Sequence, residues 1–171
     1  MTSLSWVESS GGPLIVMHRS ELRTWWGAFG PQQDRDIPSS GKTDYARACD
    51  IETEIGVLGL AAPQILVMGE EPDRTTARID GTTIFLLRWR AATSEVTLMS
   101  DFENLSANLT FEPAGTFETD AGEHLMFDAA NVGWQPGNSL RIDLGATRYA
   151  IGTALLLTDQ TELLVHRLVP T

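Results

Sequence analysis

The end of the chain constrains the fold most. Tyr149–Leu157 and Leu163–Leu168 are two β-rich runs separated by a short polar stretch, Thr158-Asp159-Gln160-Thr161 followed by Glu162. A break of that length closes a hairpin and is far too short for the crossover that parallel strands need. The sequence therefore predicts a C-terminal antiparallel hairpin.

Other segments read as further strands. Ile84–Arg90 alternates, with Phe85, Leu87 and Trp89 on one side and Arg88 and Arg90 on the other, the period-two pattern of a half-buried strand. Leu140–Leu144 alternates in the same way, and Pro13–His18, Ile55–Leu60 and Ile65–Met68 are short apolar runs bounded by Gly and Pro. Two amphipathic helices are predicted. One starts at Ser20 as N-cap, with Glu21 in its first turn and Leu22, Trp25, Trp26 and Phe29 along one face. The other starts near Ser94 and places Val96, Met99, Phe102 and Leu105 on one face, with Glu95, Asp101 and Glu103 largely away from it. Gly30–Thr43 reads as loop. These elements give an α+β, predominantly antiparallel fold with two short amphipathic helices, expected as a single domain over residues 1–171. A faint echo relates Gly12–Val16 to Gly122–Met126 and Gln64–Val67 to Glu162–Val165, which raises two related β-rich halves joined through residues 79–105; chance recurrence of common apolar residues explains it equally well.

The chain carries a net charge of −11, which repels phosphate backbones and anionic lipid and favours a basic partner. No Lys or Arg occurs between Arg90 and Arg141, whereas that window holds Glu95, Asp101, Glu103, Glu112, Glu118, Asp120, Glu123 and Asp128. A one-signed field is expected there, with solvated surface as its plain alternative. The lone Cys49 allows no intrachain disulfide, Met1–Ser10 lacks a signal pattern, and the apolar stretch Ile55–Gly69 is interrupted by Pro63 and Gln64. Cytoplasmic location without membrane insertion is the expectation. Two sequons at Asn104 and Asn108 matter only in a secreted eukaryotic chain.

Signatures of catalysis are weak. Ser40-Gly41-Lys42-Thr43 resembles the end of a phosphate loop, but Asp36 stands where glycine is needed and no apolar strand precedes it. His18, His124 and His166 lie far apart in sequence without metal-site spacing, Cys49 lacks a nucleophile signature, and carboxylate pairs such as Glu70-Glu71 or Asp101 and Glu103 are expected by chance among 23 acids. No catalytic residue, metal or cofactor is expected. At least one of Trp25 and Trp26 should pack in the core, the other being free to anchor a partner, while Trp6, Trp89 and Trp134 read as core.

Several blocks together resemble immunity protein family twenty-one: Trp6–Leu14, Thr43–Cys49, Gly69–Pro72 with Thr75-Thr76, Leu87-Arg88-Trp89, Leu125–Ala130, Leu140–Leu144 and Leu164–Leu168, in order over nearly the whole chain. The resemblance implies a bacterial protein of a polymorphic-toxin system that neutralises a cognate toxin domain by affinity, without catalysis. It supplies no contact positions, and the sequence departs from the pattern around Ala61-Ala62-Pro63 and Val132-Gly133-Trp134, where specificity would differ. Charge complementarity nominates Glu70, Glu71, Asp73, Glu95, Asp101, Glu103, Glu112, Glu118, Asp120 and Glu123 for contact with a basic toxin surface. A β-rich ligand-binding or scaffold domain is the alternative, favoured by a pocket lined with tryptophans; a hydrolase, third, needs His124 and His166 in one cleft with a carboxylate.

Overall fold

The computed structural model describes residues 4–29, 42–69 and 73–171. In chain order its strands are β1 (Leu14–His18), β2 (Gly56–Leu58), β3 (Ile65–Met68), β4 (Thr75–Asp80), β5 (Thr83–Ala92), β6 (Glu112–Glu118), β7 (Gly122–Asp128), β8 (Ser139–Leu144), β9 (Arg148–Leu157) and β10 (Thr161–Pro170). Two α-helices, α1 (Asp44–Cys49) and α2 (Glu95–Leu105), accompany them. One sheet has the order β2-β3-β1-β7-β8, the other β4-β5-β10-β9-β6. Every neighbouring pair is antiparallel.

The predicted C-terminal hairpin is present, pairing Glu162 with Leu157 at the turn and Pro170 with Tyr149 at the far end. Its turn is closed by Thr158, whose amide donates to the Thr161 carbonyl at 2.9 Å while its hydroxyl accepts from the amides of Gln160 and Thr161. The sequence order Thr-Asp-Gln-Thr thus sets the turn through one side chain that replaces missing backbone partners.

The two sheets face each other across a core in which Leu14, Val16, Leu66, Met68, Met126, Ile142 and Leu144 meet Ile84, Leu86, Phe117, Tyr149, Ile151 and Leu168. Their outer faces are covered as well. Ile15, Met17, Val67 and Phe127 lie under Trp25 and Ala48, and Leu87, Leu156, Leu163 and Val165 lie under Leu98 and Phe102 of α2. This four-layer arrangement explains why β1 reads as an unbroken apolar run: a strand buried on both faces has no polar side to alternate with.

The expected helix at Ser20 is instead a pair of 3-10 turns, Arg19–Thr24 and Gly27–Phe29, broken at an extended Trp25. Trp25 donates its indole N–H to the Ala129 carbonyl, and its own carbonyl accepts from the Gly133 amide. These long-range bonds displace the local ones an α-helix requires; of the predicted apolar face Trp25 is buried and Leu22 packs against the same core, while Phe29 is exposed. Gly27 has φ +59, and a Cβ there would approach the Ala130 carbonyl oxygen to 2.3 Å, so the break is fixed by close backbone approach. The α-helix of this region is α1, capped by the Thr43 hydroxyl on the Ala46 amide.

Ser94 caps α2 as expected, accepting from the Thr97 amide. Its buried seam is Leu98 and Phe102, however, and Val96 is 63% exposed. β4 and β6 were not foreseen. Both are edge strands; β4 is rich in polar residues, and β6 holds Pro113 and Gly115 at a register shift, composition that reads as loop. β7 was visible only as an echo of β1. That echo does not map onto separate halves, because β1 and β7 are neighbours in one sheet, β3 and β10 lie in different sheets, and the first sheet draws strands from both sides of residues 79–105.

The side of β5 read as polar faces inward. Arg88 is 1% exposed; its guanidinium donates to the carbonyls of Glu54 at 2.6 Å and Gly69 at 2.9 Å, and lies 3.7 Å from the Asp73 carboxylate. Arg90 continues the network to Asp73, Glu54 and Glu162. A buried cation persists only where such partners replace water. Here they tie the second sheet to the residue before the β2 turn and to the residue leaving β3. His166 on β10 is also fully buried, with Nδ1 2.8 Å from the Thr153 hydroxyl. Burial, then the charges of Arg88 and Arg90, push its pKa down to about 3.

Two outcomes follow for stability. Arg88→Met should cost about 3–5 kcal/mol in urea unfolding, because it leaves two carbonyls without their buried donor and Asp73 with Arg90 alone, whereas Arg90→Met, at a more exposed position, should cost about 1 kcal/mol. Equal, small losses would contradict the network. His166 is neutral when folded and has an ordinary value of 6.5. Its contribution is therefore complete above pH 6.5 and is lost as pH falls toward about 3. Between pH 7 and pH 5 this amounts to about 2 kcal/mol. The pH dependence of the unfolding midpoint should flatten in His166→Gln over that interval; an unaltered slope would contradict the assignment.

Candidate functional site

The acidic window does not form one uncompensated surface. Glu95, Asp101 and Glu103 ride on α2, Glu112 and Glu118 on β6, Asp120 in the β6–β7 turn, and Glu123 and Asp128 on β7. Arginines remote in sequence come up beside several of them: Arg78 lies 3.9 Å from Glu103, Arg148 3.6 Å from Glu118, and Arg19 and Arg141 3.2 and 3.9 Å from Glu123. A gap in positive charge along the chain is not a gap in space.

Other acids have structural partners. Asp128, 3% exposed, accepts from the amides of Ser10 and Ala130, pinning the N-terminal segment to the end of β7. Glu95 accepts from the Leu4 amide and Asp101 from the Thr158 hydroxyl. Asp73 belongs to the arginine network. Glu112 and Asp120 are exposed and make no ion pair among the described residues. Glu70 and Glu71 lie outside the described residues. The exposed pairs contribute only about 0–1 kcal/mol each, so a partner's cation can replace an arginine at little cost.

A cleft opens where the long strands of the second sheet overrun the short strands of the first. β5, β9 and β10 have ten residues each, against three to five in β1, β2 and β3. The cleft measures about 580 Å³ and is lined by residues 52–55 from the chain before β2 and by Arg90, residues 112–114, residues 153–155 and Leu164 from the second sheet. Leu155 is 47% exposed and Leu157, two residues along the same face of β9, 68% exposed. Sequence reading missed Glu52 and Glu54 because they sit among turn residues, and it treated Leu155 and Leu157 as ordinary strand positions.

The histidines do not assemble a reaction centre. His18 and His124 face each other across β1 and β7 with ring centroids 5.0 Å apart, a pairing that strand register creates and linear spacing hides. His124 is held between the Thr119 hydroxyl and the Gly122 carbonyl, and burial pushes its pKa down. His166 belongs to the other sheet, and the two share no hydrogen-bond partner. Among the described residues no cluster of three or more His, Cys, Asp and Glu side chains is placed to hold a metal ion.

The tryptophans divide by pairing. Trp6 and Trp89 pack edge to face at 5.2 Å with Arg74 stacked on Trp89, and Trp26 and Trp134 do the same at 4.8 Å. Trp134, expected in the core, is 44% exposed, with its ring packed against Trp26. The cleft, a pocket beneath α2 lined by Phe85, Phe102 and Phe111, and a small pocket between Gly12 and Ala48 are all lined without tryptophan.

Among the described residues no helix is long and apolar enough to cross a membrane. No curated protein and no solved structure matches the chain. A family model does: that of Immunity protein 21 matches residues 5–162, spanning both sheets from the segment before β1 to the start of β10. This chain belongs to the Immunity protein 21 family.

Proposed function

We propose that this chain is a cytoplasmic, single-domain immunity protein that binds a cognate bacterial toxin domain and neutralises it by occlusion, with no cofactor and no catalytic step. The observation that carries the reading is the family match over residues 5–162. The net charge of −11 supports a toxin with a basic surface, since complementary fields accelerate encounter by about 10–10³-fold and bring the partners together in register. Within the nominated set Glu112 and Asp120 are the most available acids, Glu103, Glu118 and Glu123 exchange an arginine for a toxin cation, and Glu95, Asp101 and Asp73 add to the field while holding internal partners. Glu70 and Glu71 remain in the proposed set on charge alone.

Co-expression with the product of the adjacent reading frame tests the reading. Restored growth and a co-purifying complex are expected; toxicity undiminished by this chain would overturn it. The electrostatic part has its own outcome. Combined Glu112→Lys, Glu118→Lys and Glu123→Lys should slow association about tenfold at low salt and flatten its salt dependence in stopped-flow mixing. An association rate equal to wild type would refute the role of these acids.

A further inference from the structure

We infer that the open end of the cleft between the sheets is the toxin's docking site, and that it takes a lysine or arginine side chain of the toxin. The inference rests on the immunity reading above and adds the surface and the chemistry. Three features meet there. The floor is apolar, built by Leu155 and Leu164 with Pro113 and Ala114, and it continues outward into Leu157. Two neighbouring leucines, 47% and 68% exposed on one strand face, are surface that a solitary chain gains nothing by displaying. The rim is acidic. Glu52, Glu54 and Glu112 line the cleft against one cation among the described residues, Arg90. That arginine is already engaged by Glu54, Asp73 and Glu162, while Glu52 and Glu112 make no ion pair among the described residues.

The third feature is the sheet edge. β6 pairs with β9 only as far as Glu112 opposite Thr153, so Ala154–Leu157 has β10 on one side and no strand of β6 on the other. An apolar floor under an acidic rim fits a long aliphatic stem that ends in a positive charge better than it fits an anion or a wholly apolar group. Stem on Leu155 and Leu157, head group at Glu52 and Glu112, is the arrangement the geometry assigns.

The test is calorimetric titration of the full chain with the purified product of the adjacent reading frame. Leu155→Ser with Leu157→Ser, and separately Glu52→Gln with Glu112→Gln, should each weaken Kd about tenfold or more, and only the glutamate pair should reduce its salt dependence. Leu60→Ser, at a fully exposed leucine beyond β2, should leave Kd as in wild type. Should the leucine variant unfold, hydrogen exchange of the unaltered complex decides: protection confined to residues 52–55 and 153–157 supports the site, and its absence overturns it. Wild-type binding with unchanged Kd in both double variants, or an equal loss at Leu60, overturns the cleft and leaves the immunity reading standing. No binding by the wild type removes both.

Discussion

The buried guanidinium of Arg88 is the constraint on which the arrangement of the two sheets depends. It follows two apolar inward residues of its strand, Ile84 and Leu86, and it is stable there only because the chain before β2 and the chain after β3 bring carbonyls to it and Asp73 brings a negative charge. Those contacts hold the short hairpin of the first sheet at one end of the long strands of the second. The same position leaves the far ends of β9 and β10 uncovered, and so the cleft is a by-product of where the arginine network closes. Arg90 extends that network, and neutral His166, bonded to Thr153, feels the charge of both arginines, which helps to depress its pKa.

How much of this was legible in the sequence depends on whether an element's bonds are local. The hairpin of β9 and β10 was legible because its turn is closed by Thr158 within a few residues. The start of α2 was legible because Ser94 caps it locally. The helix expected at Ser20 failed because Trp25 bonds to Ala129 and Gly133, more than a hundred residues away, and no window of sequence contains that competition. The inward burial of Arg88 was hidden for a related reason: alternation shows that two faces differ, and the presumption that the charged face meets water is wrong when a second sheet covers it.

The candidate site was less legible than the fold. The acid-rich window is real, but space returns arginines to Glu103, Glu118 and Glu123 that the linear charge pattern excludes. Conversely, Glu52 and Glu112 are sixty residues apart in the chain and line one cleft. The resemblance to the family drew on ordered blocks that the fold distributes across both sheets and their connections, so it carried the family without pointing to a contact surface.

Occlusion differs from any catalytic antidote in its stoichiometry. The most direct measurement titrates this chain into the purified toxin and follows the toxin's own activity. Occlusion predicts a linear fall that ends at a fixed molar ratio, is complete on mixing, and reverses when the complex is dissociated. Progressive loss of activity with time at a small fraction of that ratio would contradict it.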